Sequence, residues 1–175
     1  MKSFSFLTLL IFTVSCESDH KFKSLVDKEK VFIVLNLYGL DSVPKEIGTL
    51  KNVKELEIIR TDDWTVYPPL SAADQWVDMP PFRTIPSELL NLKKLQKLTL
   101  IGLDIKTLPE DFDKLENLEH LDLSNNKLTI SNELPKLKRL KKLQYVYLSG
   151  NHIDNNEIEA WRKENPNIEI GYRTE

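Results

Sequence analysis

Three positions near the middle of the chain have the residue types of a catalytic centre. His120, Asp122 and Ser124 alternate with Leu121 and Leu123, so on a strand they would share one face. A base, an acid and a hydroxyl are the parts of a nucleophilic triad. The spacing argues against that chemistry. Residues two apart on a strand lie about 6.6–6.8 Å apart along it, whereas triad hydrogen bonds span about 2.6–3.2 Å. No nucleophile turn or oxyanion hole accompanies them, so they read as solvent-facing positions. Glu55 and Glu57 form a carboxylate pair by the same alternation, yet no second wall of a cleft is visible. No glycine-rich phosphate loop and no metal-ligand spacing occurs. The three histidines, His20, His120 and His152, are scattered. The sequence calls for no catalytic residue, no metal and no cofactor, and the chain is read as a non-enzyme.

The one cysteine, Cys16, excludes a disulfide framework. It ends a short apolar run, residues 4–14, that follows Lys2. A run of that length is too short to span a bilayer, which needs roughly 20 residues, but it fits the hydrophobic part of an export signal. The ending Thr13-Val14-Ser15-Cys16 resembles the bacterial lipobox, with Thr13 where leucine is usual. The resemblance implies a diacylated Cys16 at the start of the mature chain. Residues 1–15 are then a signal peptide, and residues 16–30 a lipid-anchor tether and N-terminal cap. The rival reading is ordinary cleavage after Cys16, which leaves a secreted protein. Either way the chain is expected to be exported, to a membrane-anchored place in the cell envelope or to the medium.

The remainder is organised by leucine. There are 28 among 175 residues, with a net charge of −3 and a pI of about 5.7. That acidity argues against a nucleic-acid partner. Val43-Pro44-Lys45-Glu46-Ile47, Ile85-Pro86-Ser87-Glu88-Leu89 and Leu108-Pro109-Glu110-Asp111-Phe112 share one pattern, apolar-Pro-x-x-apolar-x-x-Leu-x-x-apolar. Each is followed by an alternating block: Val53-x-x-Leu56-x-Ile58, Leu95-x-x-Leu98-x-Leu100 and Leu118-x-x-Leu121-x-Leu123, with Leu143-x-x-Val146-x-Leu148 a further copy. Asn126 and Asn151 close the last two. This resembles the leucine-rich repeat family over about residues 30–170. A proline in every copy rules out one long helix.

The resemblance implies an α/β solenoid. Its parallel β-sheet lies on the concave side, short helical or 3₁₀ segments lie on the convex side, and helical caps close both ends. The repeats are placed at residues 31–154. In the first copy, spacing back from Val43 favours Ile33 and Leu35 as the inward pair, with Leu35 and Leu37 as the rival. Phe22, Leu25 and Val26 fall on one helical face before it. After it, residues 155–175 read as a cap helix and a last strand. Asn155 or Asn156 would be its N-cap, Ile158 and Trp161 its buried face, and Ile168-Glu169-Ile170 the strand.

Val53 to Leu95 is 42 residues against 23 for Leu95 to Leu118. The excess is an insertion at about residues 61–81, carrying Trp64, Tyr67 and Trp76. It reads either as a lid over Ile59 and Ile101 or as a loop that contacts a partner. The basic stretch at residues 136–142 reads as a solvated convex face. Outward residues of the strands form three columns: Phe32, Glu55, Lys97, His120, Tyr145; then Val34, Glu57, Thr99, Asp122, Tyr147, Glu169; then Asn36, Ile59, Ile101, Ser124, Ser149. Tyrosines offer a large contact area with a polar tip, and the charges give selectivity. Glu55, Glu57, Ile59, Lys97, Ile101, His120, Asp122, Tyr145 and Tyr147 are therefore the expected surface for a protein or peptide partner. A structural role in envelope assembly, with a permanent partner on the same face, is the alternative.

Overall fold

A computed structural model describes residues 22–60 and 84–173. Cys16 and the insertion with Trp64, Tyr67 and Trp76 lie outside them. Six strands form one parallel sheet in chain order: β1 (Lys30–Val34), β2 (Glu55–Ile59), β3 (Lys97–Ile101), β4 (His120–Asp122), β5 (Tyr145–Tyr147) and β6 (Glu169–Gly171). The L-x-L alternation produces this directly. Leu56 and Ile58, Leu98 and Leu100, Leu121 and Leu123, and Val146 and Leu148 are all buried, one layer above the next. Burying a leucine side chain contributes roughly 1.5–3 kcal/mol, and here each layer is covered by its neighbours.

The return segments explain the proline. In the first, Ile47 N–H donates to Pro44 O at 3.1 Å, Leu50 to Ile47 at 3.2 Å, and Val53 to Leu50 at 3.1 Å. The same three steps run from Pro86 through Leu89 and Leu92 to Leu95, and from Pro109 through Phe112 and Leu115 to Leu118. These i to i+3 bonds wind a 3₁₀ path, on which every third side chain stacks. The apolar residues at that spacing all point into the core. Proline opens the path because only its carbonyl is used there, and its φ near −65° fits the extended entry. Consecutive 3₁₀ segments touch: a Cβ built on Gly48 would stand 2.8 Å from both Cβ and O of Glu88. The first coils therefore stack closely although the insertion separates them in sequence.

The fourth return differs. Helix α1 (Ile130–Leu137) replaces the 3₁₀ entry and holds Pro135 inside it. Its Glu133 is buried, a position that sequence periodicity did not single out. The carboxylate accepts from Leu108 N–H at 3.0 Å, from the Thr107 hydroxyl at 3.1 Å and from Lys136 Nζ at 3.0 Å. A buried charge is tolerable when it is paired and hydrogen-bonded in this way. Beyond it the chain rejoins the common pattern, Leu140 donating to Leu137 and Leu143 to Leu140.

Two expectations need correction. The inward pair of β1 is Val31 and Ile33, which register with Leu56 and Ile58, and neither of the pairs read from spacing. Leu35 is buried as the first residue of the following turn, and Leu37 is 69% exposed. The displacement arises because the chain from β1 to Pro44 includes a wide turn through Gly39, at φ 65°, which spacing back from Val43 does not reveal. At the other end the N-cap of helix α2 (Asn155–Glu164) is Asp154, whose carboxylate accepts from Asn156 N–H at 2.8 Å, and neither Asn155 nor Asn156. Ile158 and Trp161 are buried as expected. Phe22 is buried too, its ring 6.5 Å from that of Tyr38.

The asparagines act between coils. Asn126 Oδ1 accepts from Leu103 N–H and Ile105 N–H, both at 3.1 Å, and its Nδ2 donates to Leu100 O at 2.7 Å and Leu123 O at 2.8 Å. Asn151 repeats the scheme one coil on, donating to Leu123 O and Leu148 O and accepting from Leu128 N–H. Leu103 occupies the equivalent place one coil earlier, and its side chain is simply buried.

Two outcomes follow for stability. Leu121→Ala should destabilise the chain by roughly 2–5 kcal/mol, the usual range for such a truncation at a buried site. An unchanged thermal melt would exclude the inward register. Asn126→Ala leaves two buried N–H groups without their acceptor, each costing about 1–3 kcal/mol. Urea unfolding should show a midpoint lowered by an amount comparable to that of Leu121→Ala, although far less apolar surface is removed.

Candidate functional site

The sheet face opposite the leucines is built from the alternate residues of all six strands. Their register defines the columns. The first reads Lys30, Glu55, Lys97, His120, Tyr145, Glu169. The second reads Phe32, Glu57, Thr99, Asp122, Tyr147, Gly171, and the third begins Val34, Ile59, Ile101. The four middle strands fall as sequence spacing placed them. The ends do not: Phe32 moves from the first column to the second, Val34 from the second to the third, and Glu169 from the second to the first. Asn36 lies beyond the end of β1. Each shift is two residues, which keeps the inward or outward sense and changes only the neighbour.

Within the columns the side chains interact selectively. The His120 ring lies flat against Tyr145, with centroids 4.4 Å apart and planes 7° from parallel. Neighbouring strands place the two residues side by side, and offset stacking of such rings is favourable. Tyr147 leans the other way, over Gly171. A Cβ there would come within 2.5 Å of the tyrosine Cδ1, so glycine is what lets the ring settle on β6. Tyr147 remains 41% exposed. Glu55 pairs with Lys30 at 2.6 Å. Glu57 and Lys97 are exposed and make no ion pair among the described residues. Ile59 and Ile101 stand side by side and half-buried, next to buried Val34. A depression of about 170 Å³ opens at the β1 end, lined by Lys30, Phe32, Glu55, Glu57, Lys97 and Thr99.

The triad geometry does not form. Asp122 Oδ1 accepts from the backbone N–H of Ser124 at 2.9 Å, a local contact just past the end of β4, while His120 is engaged with Tyr145. The residues share a face and are not aligned for proton transfer. Among the described residues no group of three or more His, Cys, Asp or Glu side chains could hold a metal ion, and no helix is long and apolar enough to cross a membrane.

Three of the five basic residues in 136–142 are engaged with acids of their own fold. Lys136 meets Glu133 and Glu110, Lys138 meets Glu164 at 2.7 Å, and Arg139 meets Asp113 at 3.2 Å and Glu110 at 3.4 Å. The exposed pairs among these, those of Lys138 and Arg139, contribute about 0–1 kcal/mol each. The acids balance Lys136, Lys138 and Arg139, while Lys142 donates to Asn117 Oδ1 and stays without an acid among the described residues. Leu137, Leu140 and Leu143 turn inward as the spacing implies.

Sequence reasoning missed the His120–Tyr145 stack and the seat of Tyr147. The columns were readable, but ring orientation depends on what the adjoining strand offers, and in the second case that is the absence of a side chain at Gly171. Phe32 was assigned to the wrong column, so its place in line with Glu57 was also missed.

A family model for leucine-rich repeats, two copies, matches residues 116–163. Tubulin-specific chaperone E of Xenopus laevis is 39% identical over 59 residues, a stretch covering 34% of this chain and 11% of that protein. A leucine-rich repeat protein of Leptospira interrogans is similar over 78% of this chain and 38% of its own, at 28% identity and a TM-score of 0.46. Internalin C2 of Listeria monocytogenes is similar over 75% of this chain and 49% of its own, at 21% identity and a TM-score of 0.49. This chain thus spans half or less of each of these proteins. Leucine-rich repeats typically serve as protein-binding scaffolds without catalytic function. Residues 116–163 thus match two leucine-rich repeats, and the same strand register repeats along the rest of the described sheet.

Proposed function

We propose that this chain is a non-enzymatic recognition module, exported and held at a membrane surface by lipid on Cys16, that binds a protein or peptide on the concave face of its repeat sheet. The observation that carries the reading is the composition of that face. A face kept only for solubility would be uniformly polar. This one instead presents Phe32 and Tyr147 to solvent, stacks His120 on Tyr145, and sets Ile59 against Ile101. Phe22 and Trp161 bury apolar surface near the two ends, which fits a short capped array whose open ground is the sheet. Tyrosine is among the residues enriched at binding hot spots.

Capture from envelope extracts by the immobilised protein tests the face. Tyr145→Ala combined with Tyr147→Ala should weaken capture about tenfold, within the range of hot-spot losses, while the thermal melt stays close to wild type. Lys141→Ala, on the exposed convex side, is the control and should capture normally. A silent tyrosine pair with a sensitive Lys141 would move the binding surface to the convex side.

The anchor rests on the short apolar run ending in the only cysteine. More than one acyl chain is needed for stable attachment, and a diacylated cysteine supplies two. Expressed in the native host, Cys16→Ala should leave the membrane fraction for the soluble one. Partition identical to wild type would remove the lipid from the reading.

A further inference from the structure

The second column of the sheet face has a chemistry of its own. From β1 to β5 it reads Phe32, Glu57, Thr99, Asp122, Tyr147. Among the described residues, three large apolar side chains are exposed, and two of them, Phe32 at 52% and Tyr147 at 41%, stand in this one column; the third is Leu37. Between them are two carboxylates and no cation. Thr99, the short central residue, is recessed to 6% exposure between its longer neighbours. The column is thus a shallow trough with an aromatic at each end and an acid inside each aromatic.

The cations nearby belong to the first column. Lys30 is held by Glu55, and Lys97 sits next to Glu55 across the register. Counting Lys30 and Lys97 against Glu55, Glu57, Asp122 and Glu169, with His120 neutral, the two columns carry −2. Lys97 makes the first column unfavourable for a cation and so directs positive charge onto the second.

Spacing adds a dimension to the charge. Neighbouring strands are about 4.7–4.9 Å apart, so Glu57 on β2 and Asp122 on β4 are about 9–10 Å apart, and Phe32 to Tyr147 is about 19 Å. A polyproline chain advances about 3.1 Å per residue and turns once every three residues. Its three-residue turn puts side chains three apart on one face, about 9.3 Å from each other, which matches the two carboxylates; a flat β-strand would turn them to opposite faces. Apolar side chains one or two residues outside them match Phe32 and Tyr147.

We propose that this trough takes a protein segment in the polyproline conformation lying across the strands, with two lysines or arginines three residues apart and an apolar side chain outside each. The proposal rests on the sheet face being the binding surface, and it specifies the occupant. The carboxylates set the spacing and polarity of the segment, and the aromatics cover its apolar flanks. Salt should weaken the interaction, since both carboxylates are reached by solvent.

The test uses the purified full chain and fluorescein-labelled octapeptides. One series carries two arginines one to five residues apart between leucines, and a second carries glutamates in place of the arginines. The arginine peptide with three-residue separation should bind tightest, and its glutamate counterpart at least tenfold more weakly. Glu57→Gln with Asp122→Asn should lower arginine-peptide affinity at least fivefold and flatten its salt dependence. Asparagine keeps the oxygen that accepts from Ser124 N–H, and a matching thermal melt shows that the double variant is folded. Equal binding of the glutamate series, no preference among spacings, no binding of any peptide, or an unaffected double variant would each overturn the proposal. Loss of peptide binding alongside tyrosine-dependent capture from extracts discards the basic segment and keeps the binding face. Loss of both discards the face.

Discussion

A coil of this chain has one apolar side and two flanks, and it is too small to bury that side alone. Leu98 and Leu100 are fully buried only because Leu56 and Ile58 lie on one side and Leu121 and Leu123 on the other. Stacking is therefore the condition on which every other feature depends. It requires each coil to repeat the same path, so strand bonds, 3₁₀ turns and asparagine amides all fall in line with their counterparts one coil away. Leu123 O shows the coupling at atomic scale: it accepts from Asn126 of its own coil and from Asn151 of the next. A change at one such point is felt by two coils, as expected for stability made of nearest-neighbour interfaces.

This constraint also decides what sequence could reveal. The L-x-L blocks and the Pro-x-x-apolar runs were legible because they answer to the same demand in every coil. The three 3₁₀ segments and the registers of β2 through β5 follow from them. The ends were harder, for a reason intrinsic to strands. Val31, Ile33, Leu35 and Leu37 all satisfy a period of two, so a slip of two residues leaves inward and outward unchanged. Only pairing with β2 selects Val31 and Ile33. The same ambiguity displaced Glu169 at β6. Glu133 escaped for the opposite reason: a carboxylate in an apolar row looks like a break in the pattern until Leu108 N–H, Thr107 and Lys136 are brought to it. On the candidate site, the identities of Glu55, Glu57, Lys97, Asp122, Tyr145 and Tyr147 were legible from alternation. Their ring stacking and the line formed by Phe32 with Glu57 were not.

The two sides of the sheet answer to different pressures. Inward positions must fit a fixed volume between coils, and they are nearly all leucine, isoleucine or valine. Outward positions meet no such requirement, and the residues vary from coil to coil: Lys30, Glu55, Lys97, His120 and Tyr145 in one column alone. That freedom places chemically different side chains at regular intervals of about 4.8 Å, a spacing set by backbone hydrogen bonds and not by the side chains themselves. Selectivity of the face then comes from which residue stands in which column. A shift of Phe32 from the first column to the second therefore changes the expected partner while leaving the fold untouched.

The insertion shows how strongly the stack governs the rest. Nineteen or so extra residues lie between β2 and β3, yet the two strands pair over five residues without interruption, from Glu55 opposite Lys97 to Ile59 opposite Ile101. Closing a longer loop costs only about 0.6 kcal/mol for each doubling of its length. The coil-to-coil contact it must not disturb buries Ile47, Leu50, Val53, Leu56 and Ile58 against Leu89, Leu92, Leu95, Leu98 and Leu100, a contribution many times larger at roughly 1.5–3 kcal/mol per side chain. The balance falls wholly on the side of stacking. Gly48 is where the closeness is enforced, since no side chain fits between it and Glu88. Sequence can be added at the end of a strand because the coils on either side are held by one another and not by the chain that links them.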